Sequence, residues 1–218
     1  MVDSLKYYEL KNIAEKHQAK LLVVTKNQID EDILKLYELG QRAFAENKVQ
    51  HLIKRHENLP KDIEWHMIGH LQKNKIKFLT EWVHCIQSVD SFSLAKEINL
   101  QASQLNRVIP IFLEMKIATE LTKYGFDKTS LLSSLKNDAW EQFSNLQICG
   151  LMGMASFTTD THLIQKEFSE LRLIFEQIKP YIQNHTLFTQ ISMGMSGDYA
   201  IALEEGSTMI RIGSLLFR

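Results

Sequence analysis

Short runs of aliphatic residues recur along this chain, each separated from the next by a segment of helical periodicity. That alternation restricts the available folds more than any other feature. Apolar stretches at 21–26, 43–45, 63–68, 83–87, 108–115, 146–152, 186–191 and 208–212 read as strands. Helical segments are expected at about 30–40, 47–56, 73–77, 90–105, 128–144, 160–178 and 198–205, the fifth with a break near Asn137 and Asp138. Strands joined in turn by helices define a parallel sheet, and eight such units favour a closed (β/α)8 TIM barrel over an open doubly wound sheet. The open sheet is the second reading, but no Gly-x-Gly-x-x-Gly follows the first strand. With three prolines, nine glycines and no low-complexity segment, residues 1–218 read as a single α/β barrel domain. The segment 2–17 supplies an extra N-terminal helix.

Charge and composition remove several function classes. The 25 basic and 26 acidic residues leave a net charge of -1, so no electrostatic footprint for nucleic acid or an anionic membrane is present. No apolar run approaches membrane-spanning length and no secretory leader opens the chain, which predicts a cytoplasmic protein. Cys85 and Cys149 sit inside apolar strands and read as small buried hydrophobes, not as a disulfide. His51, His56, His70 and His84 have no metal-ligand spacing, so no metal is expected.

The chemistry gathers at the strand ends. Leu21-Leu22-Val23-Val24-Thr25-Lys26 is a strand buried on both faces that ends on an amine. At the C-terminal rim of a barrel an apolar wall can make such a lysine a nucleophile, although a lysine at a strand end commonly snorkels into solvent. The same rim receives Glu46 and Asn47 after strand two, His66 near the end of strand three, and Ser88 and Asp90 from strand four. Lys116 and the 123–125 loop follow strand five. Ser192-Met193-Gly194-Met195-Ser196-Gly197-Asp198 then combines hydroxyls, flexible backbone and the start of a helix, a pattern suited to phosphate. Arg211-Ile212-Gly213-Ser214 adds a second small-residue turn on the neighbouring strand, where barrels often bind phosphate. An amine facing a phosphate cradle leaves two chemistries open, a Schiff-base aldolase and a pyridoxal phosphate site. Arg211 favours the second, since a guanidinium facing the pyridine nitrogen keeps it unprotonated. Strand one offers no carboxylate to shuttle an aldolase's protons.

These motifs, with Phe44-Ala45-Glu46-Asn47, Trp65-His66-Met67-Ile68-Gly69-His70-Leu71-Gln72, Ser88-Val89-Asp90-Ser91, Lys123-Tyr124-Gly125-Phe126 and the stretch from Ile191 to Phe217, span nearly the whole chain. Together they resemble the YggS/PROSC family, the pyridoxal phosphate homeostasis proteins, whose barrel is similar to the N-terminal barrel of alanine racemase (PLP fold-type III). The resemblance implies that Lys26 carries pyridoxal 5′-phosphate as an internal aldimine and that Arg211 faces the pyridine nitrogen. It also implies that Asn47 and His66 line the ring, with Ser88 nearby. Ser192, the Met193 backbone, Gly213 and Ser214 would hold the phosphate, and Ser196 counts among the cofactor-binding residues. Mild departures are Ala45 for a glycine, Gly197 for an acidic residue, Ser214 for a threonine and Thr122 for a serine.

Two functions of different class follow. One is a cofactor carrier that buffers the reactive aldehyde and delivers it to apo-enzymes. The other is a racemase-like enzyme, which requires a second acid/base opposite the lysine. The separate domain that supplies that group in alanine racemase is not expected here, and Tyr124 is a weak substitute on the rim. A monomeric carrier with an open cofactor face and no strong catalysis is therefore the expectation.

Overall fold

The computed structural model describes residues 2–119, 124–137 and 139–217. Eight parallel strands close a barrel in sequence order: β1 (Lys20–Val24), β2 (Ala43–Glu46), β3 (Glu64–Met67), β4 (Cys85–Val89), β5 (Ile109–Met115), β6 (Leu146–Gly153), β7 (Gln190–Ser192) and β8 (Met209–Ile212). The closing seam pairs β1 with β8, Leu22 opposite Arg211 and Val23 opposite Ile212. That seam brings the lysine strand against the arginine strand.

Outside the barrel run α1 (Ser4–Lys16), α2 (Asp30–Glu38), α3 (Val49–Asn58), α4 (Phe92–Gln104), α5 (Lys128–Lys136), α6 (Thr161–Ile178) and α7 (Tyr199–Glu204). The basic segment between β3 and β4 is a 3-10 helix, Lys73–Phe78, and not a full α-helix. Its single buried residue, Ile76, leaves too little apolar face to hold a longer helix. The expected strand at 186–191 is formed only from Gln190 onward. Helix α1 packs on β1 through Tyr7, Leu10 and Ala14 and is tied to the other chain end by the Val2–Phe217 bridge and Asp3 N–H donating to Leu216 O (2.9 Å).

Two apolar layers follow from strand alternation, since successive side chains face opposite sides of the sheet. One lies between strands and helices and includes Val23, Phe44, Trp65, Phe168 and Ile212. The other plugs the barrel interior with Leu22, Ala45, Cys85, Phe112, Met152 and Met209. Burying an aliphatic or aromatic side chain of this kind contributes about 1.5–3 kcal/mol. The plug separates the C-terminal mouth from a cavity at the N-terminal end. Among the described residues, no helix is long and apolar enough to cross a membrane.

Candidate functional site at the barrel mouth

Inward-facing positions on β1 are Leu22 and Val24, and the same alternation turns Lys26 toward the mouth, where it is exposed. Its backbone is held from outside the barrel. Thr25 Oγ1 donates to Ala45 O (3.1 Å) and to Glu46 Oε1 (2.7 Å). Glu46 is fully buried and accepts from Arg55 Nε (2.9 Å), while Arg55 Nη2 donates to the carbonyls of Thr25 (3.0 Å) and Gln28 (2.8 Å). Asn27, at φ 62, then reverses the chain in the left-handed conformation that asparagine tolerates. The sequence reading overlooked this clamp, because Arg55 lies on α3 with nothing in its local pattern to link it to β1.

Across the seam, Arg211 is buried inside the barrel. Its Nη1 donates to Ser192 O and Ser192 Oγ, both at 2.7 Å, and its Nη2 donates to Gly153 O at 2.9 Å. Burial lowers its pKa to about 10, with Asp198 and Glu114 opposing the shift, so the guanidinium stays charged at neutral pH. Ser192 in turn donates to Gln87 Oε1 (2.7 Å), and Gln87 Nε2 lies 2.9 Å from His66 Nδ1. A polar chain therefore runs through the interior from Arg211 to His66.

Four of the anticipated residues are already engaged by other groups of the protein. Ser192 has no exposed surface, and its hydroxyl donates to Gln87 and accepts from Arg211, which positions the arginine. The Met193 amide is likewise engaged, donating to Met209 O at 3.2 Å. His66 sits below the mouth and lines the N-terminal cavity. Burial, followed by the charges of His84 and Lys20, lowers its pKa to about 3 and keeps it neutral. Ser88 is also committed, its hydroxyl donating to Gly69 O at 2.6 Å.

The remaining residues do converge. Gly213 packs against Val24, and a Cβ there would meet Val24 O at 3.1 Å. That close approach sets the β8 turn beside the end of β1. Ser196 Oγ accepts from the Gly213 amide at 3.4 Å, joining the loops after β7 and β8. Among the described residues, nothing accepts from the amides of Ser196, Gly197 and Ser214. Asn47, from the end of β2, holds a buried Oδ1 with no hydrogen-bond partner. Gly69 lets the neighbouring loop pass directly over the Asn47 backbone, where any Cβ would overlap Asn47 O. Thr122 and Lys123 lie outside the described residues.

Two features near the rim, the contacts that join Asp90, His70 and Tyr124 and the buried carboxyl of Glu114, were not anticipated from the sequence. His70 Nδ1 pairs with Asp90 Oδ2 at 3.0 Å, and Tyr124 stacks on His70 with ring centroids 4.0 Å apart. Glu114 on β5 is 4 % exposed. Burial raises its pKa to about 7, the nearby Asp90 adds to the rise and Arg211 opposes it. Alternation along an apolar strand placed it inside, but burial of the full strand masked that periodicity. The native state thus holds this proton more tightly than the unfolded chain does. Stability should fall as pH rises from the ordinary glutamate range through 7, and Glu114→Gln should remove that loss. At pH 8 the variant should be more stable by up to about 3 kcal/mol, given about 1.4 kcal/mol per pKa unit. Urea unfolding at pH 5 and pH 8 checks this, and parallel curves for wild type and variant would refute the assignment.

The fold and this mouth define a barrel of the alanine racemase N-terminal domain class, whose family model matches residues 6–218. A pyridoxal phosphate homeostasis protein of Aquifex aeolicus is 34% identical over 200 residues, covering 91% of this chain and 86% of the relative. The chain belongs to the pyridoxal phosphate homeostasis protein family. PipY of Synechococcus elongatus PCC7942, solved with PLP bound, superimposes with a TM-score of 0.85 at 32% identity, over 98% of this chain and 100% of that one. An alanine racemase of Clostridium difficile 630 shares the fold, with a TM-score of 0.79 at 13% identity over 98% of this chain and 56% of the racemase.

Proposed function

We propose that the chain binds pyridoxal 5′-phosphate at the barrel mouth and serves its homeostasis, holding the cofactor on Lys26 and releasing it to apo-enzymes. The observation that carries this reading is the packing of Gly213 on Val24, which sets the amides of the β7 and β8 loops beside the strand that ends at Lys26. The residues fit the group. The amides of Ser196, Gly197 and Ser214, unpaired among the described residues, suit a phosphate, with the Ser196 hydroxyl and Gly213 shaping the cradle. Asn47 Oδ1 is an acceptor awaiting a donor. Arg211 uses three of its five N–H groups on Ser192 and Gly153, which leaves donors for a ring nitrogen.

When bound, the cofactor supplies an aldehyde for reversible linkage to an amine and a ring that can act as an electron sink. Arg211 holds no proton it can surrender to that ring, so the chain's own residues favour retention over carbanion chemistry. Lys26, Gly197 and Ser214 are exposed, and an open mouth suits handover better than a sealed reaction. The reading takes residues 1–218 as one cytoplasmic, monomeric barrel whose partners are the cofactor and recipient apo-enzymes.

Reconstitution tests it. Purified protein mixed with the cofactor and desalted should keep a visible absorption band at one equivalent per chain. Loaded protein should then activate an apo-enzyme while free cofactor is scavenged. A protein that stays colourless would overturn the binding role. Retention without transfer, or robust racemisation of an amino acid, would overturn the carrier role alone.

A further inference from the structure

The other end of the barrel carries a second constellation of chemistry-bearing residues. A cavity of about 330 Å³ opens there, with Lys20, Glu64, His66, His84, Cys85 and Cys149 in its wall. One ligand atom each from Glu64, His66 and His84 lies within 4.8 Å of the other two. His84 Nε2 is 4.0 Å from Glu64 Oε2, and the two imidazole centroids are 5.2 Å apart. Two imidazoles on one tetrahedral ion, with metal–nitrogen bonds near 2.0–2.1 Å, place their centroids about 5 Å apart. Gln190 also lines this cavity, and its buried Oε1 has no hydrogen-bond partner among the described residues.

We propose that Glu64, His66 and His84 form a binding site for a divalent transition-metal ion, of the zinc or cobalt class, at the N-terminal end of the barrel. Two imidazoles and a carboxylate suit these ions and not calcium or magnesium, which take oxygen ligands. The ligands divide by mobility. His66 is 4 % exposed and held by Gln87, so it is a fixed anchor. The Glu64 and His84 side chains are each 48% exposed and can close on an ion by rotation alone. Lys20 opposes a cation by its charge, and the Glu64 carboxylate offsets it.

Ligation also makes a demand on Gln87. Its amide nitrogen now faces His66 Nδ1, which leaves the imidazole proton on Nε2, toward the cavity. An ion on Nε2 requires the proton on Nδ1 instead. Turning the Gln87 amide over presents its carbonyl to that N–H and its nitrogen to Ser192 Oγ, which still accepts from Arg211 but gives up the bond it now donates to Gln87 Oε1. The imidazole's proton count is unchanged. A partner that fixes the tautomer of a ligating histidine is the usual outer-shell arrangement. Two of the three ligands come from β3 and the third is the residue just before β4, so no compact motif in the sequence announces them.

Cobalt(II) titration of chelator-stripped, cofactor-free full-length protein tests the site. Visible d–d bands saturating at one ion per chain, and displaced by zinc, are expected. His84→Ala and Glu64→Gln should each weaken binding at least tenfold, while Lys26→Ala at the opposite end should bind as wild type does. Absence of saturable bands, or equal binding in His84→Ala and Glu64→Gln, would overturn the proposal. A thiolate-to-cobalt charge-transfer band lost in Cys85→Ser or Cys149→Ser would overturn this ligand set as well. None of these readouts depends on the cofactor, so the result stands apart from the reading of the mouth.

Discussion

Lys26→Ala should leave the protein unable to retain pyridoxal phosphate while its fold stays as it was. The wild type should hold a visible chromophore that borohydride fixes to the protein, and the variant should show neither. The physical reason is a division of labour at the end of β1. The Lys26 side chain is exposed and carries no described contact with the core, so its removal should change stability by no more than about 0.5 kcal/mol. The backbone that presents it is held by Thr25, Glu46 and Arg55, none of which the substitution touches. Absorption spectra after desalting, with urea unfolding of the same samples, separate the two effects. A variant that keeps the borohydride-fixed chromophore would show that another amine carries the cofactor.

Arg55→Met is the converse case, a residue outside the mouth whose loss should be felt both in the fold and at the site. Arg55 and Glu46 form a buried ion pair with Nε to Oε1 at 2.9 Å, and Arg55 Nη2 satisfies the carbonyls of Thr25 and Gln28 on either side of Lys26. A second contact, Arg55 Nη1 to Asp30 Oδ1 at 3.6 Å, is a weaker ion pair near the start of α2. Replacing such a pair by apolar residues can be neutral, but removing one partner leaves an uncompensated buried charge and costs about 3–5 kcal/mol. The Gln28 carbonyl loses its donor at the same time, the Thr25 carbonyl keeps only the Gln28 amide, and the loop bearing Lys26 loses its clamp. Unfolding free energy should therefore fall by that amount and cofactor retention should weaken. The double variant Arg55→Met, Glu46→Gln should recover part of the stability because the stranded carboxylate is gone. A loss below about 1 kcal/mol for Arg55→Met would mean the pair contributes little.

Much of the architecture was legible from pattern alone. Apolar runs such as Leu21–Val24 and Ile109–Met115 have few alternatives to buried parallel strands once helices separate them, and the closed barrel follows from their number. The 3-10 segment at Lys73–Phe78 was not legible, because helical spacing does not reveal how much apolar surface the sheet will accept. At the mouth, Lys26, Asn47, Ser196, Arg211, Gly213 and Ser214 could be anticipated from their places at strand ends. That Ser192 and His66 both meet Gln87 inside the barrel could not be anticipated. Whether an inward-facing side chain at a strand end points up to the rim or down into the barrel depends on strand tilt and on its partners, and Gln87 captures both.

The sequence by itself determined that this chain has eight strands to close, an amine at the end of the first and small-residue turns after the last two. Those features are local, written in hydrophobic period and turn chemistry. Only the tertiary structure decided which polar groups meet. Arg211 reaches Gly153 and Ser192, Arg55 reaches Thr25 and Gln28, and Glu64 and His66 meet His84, in each case across strands whose neighbours are set by barrel closure and register. Such contacts join residues distant in the chain, and a buried polar group takes whichever partner the closed barrel sets within hydrogen-bond reach.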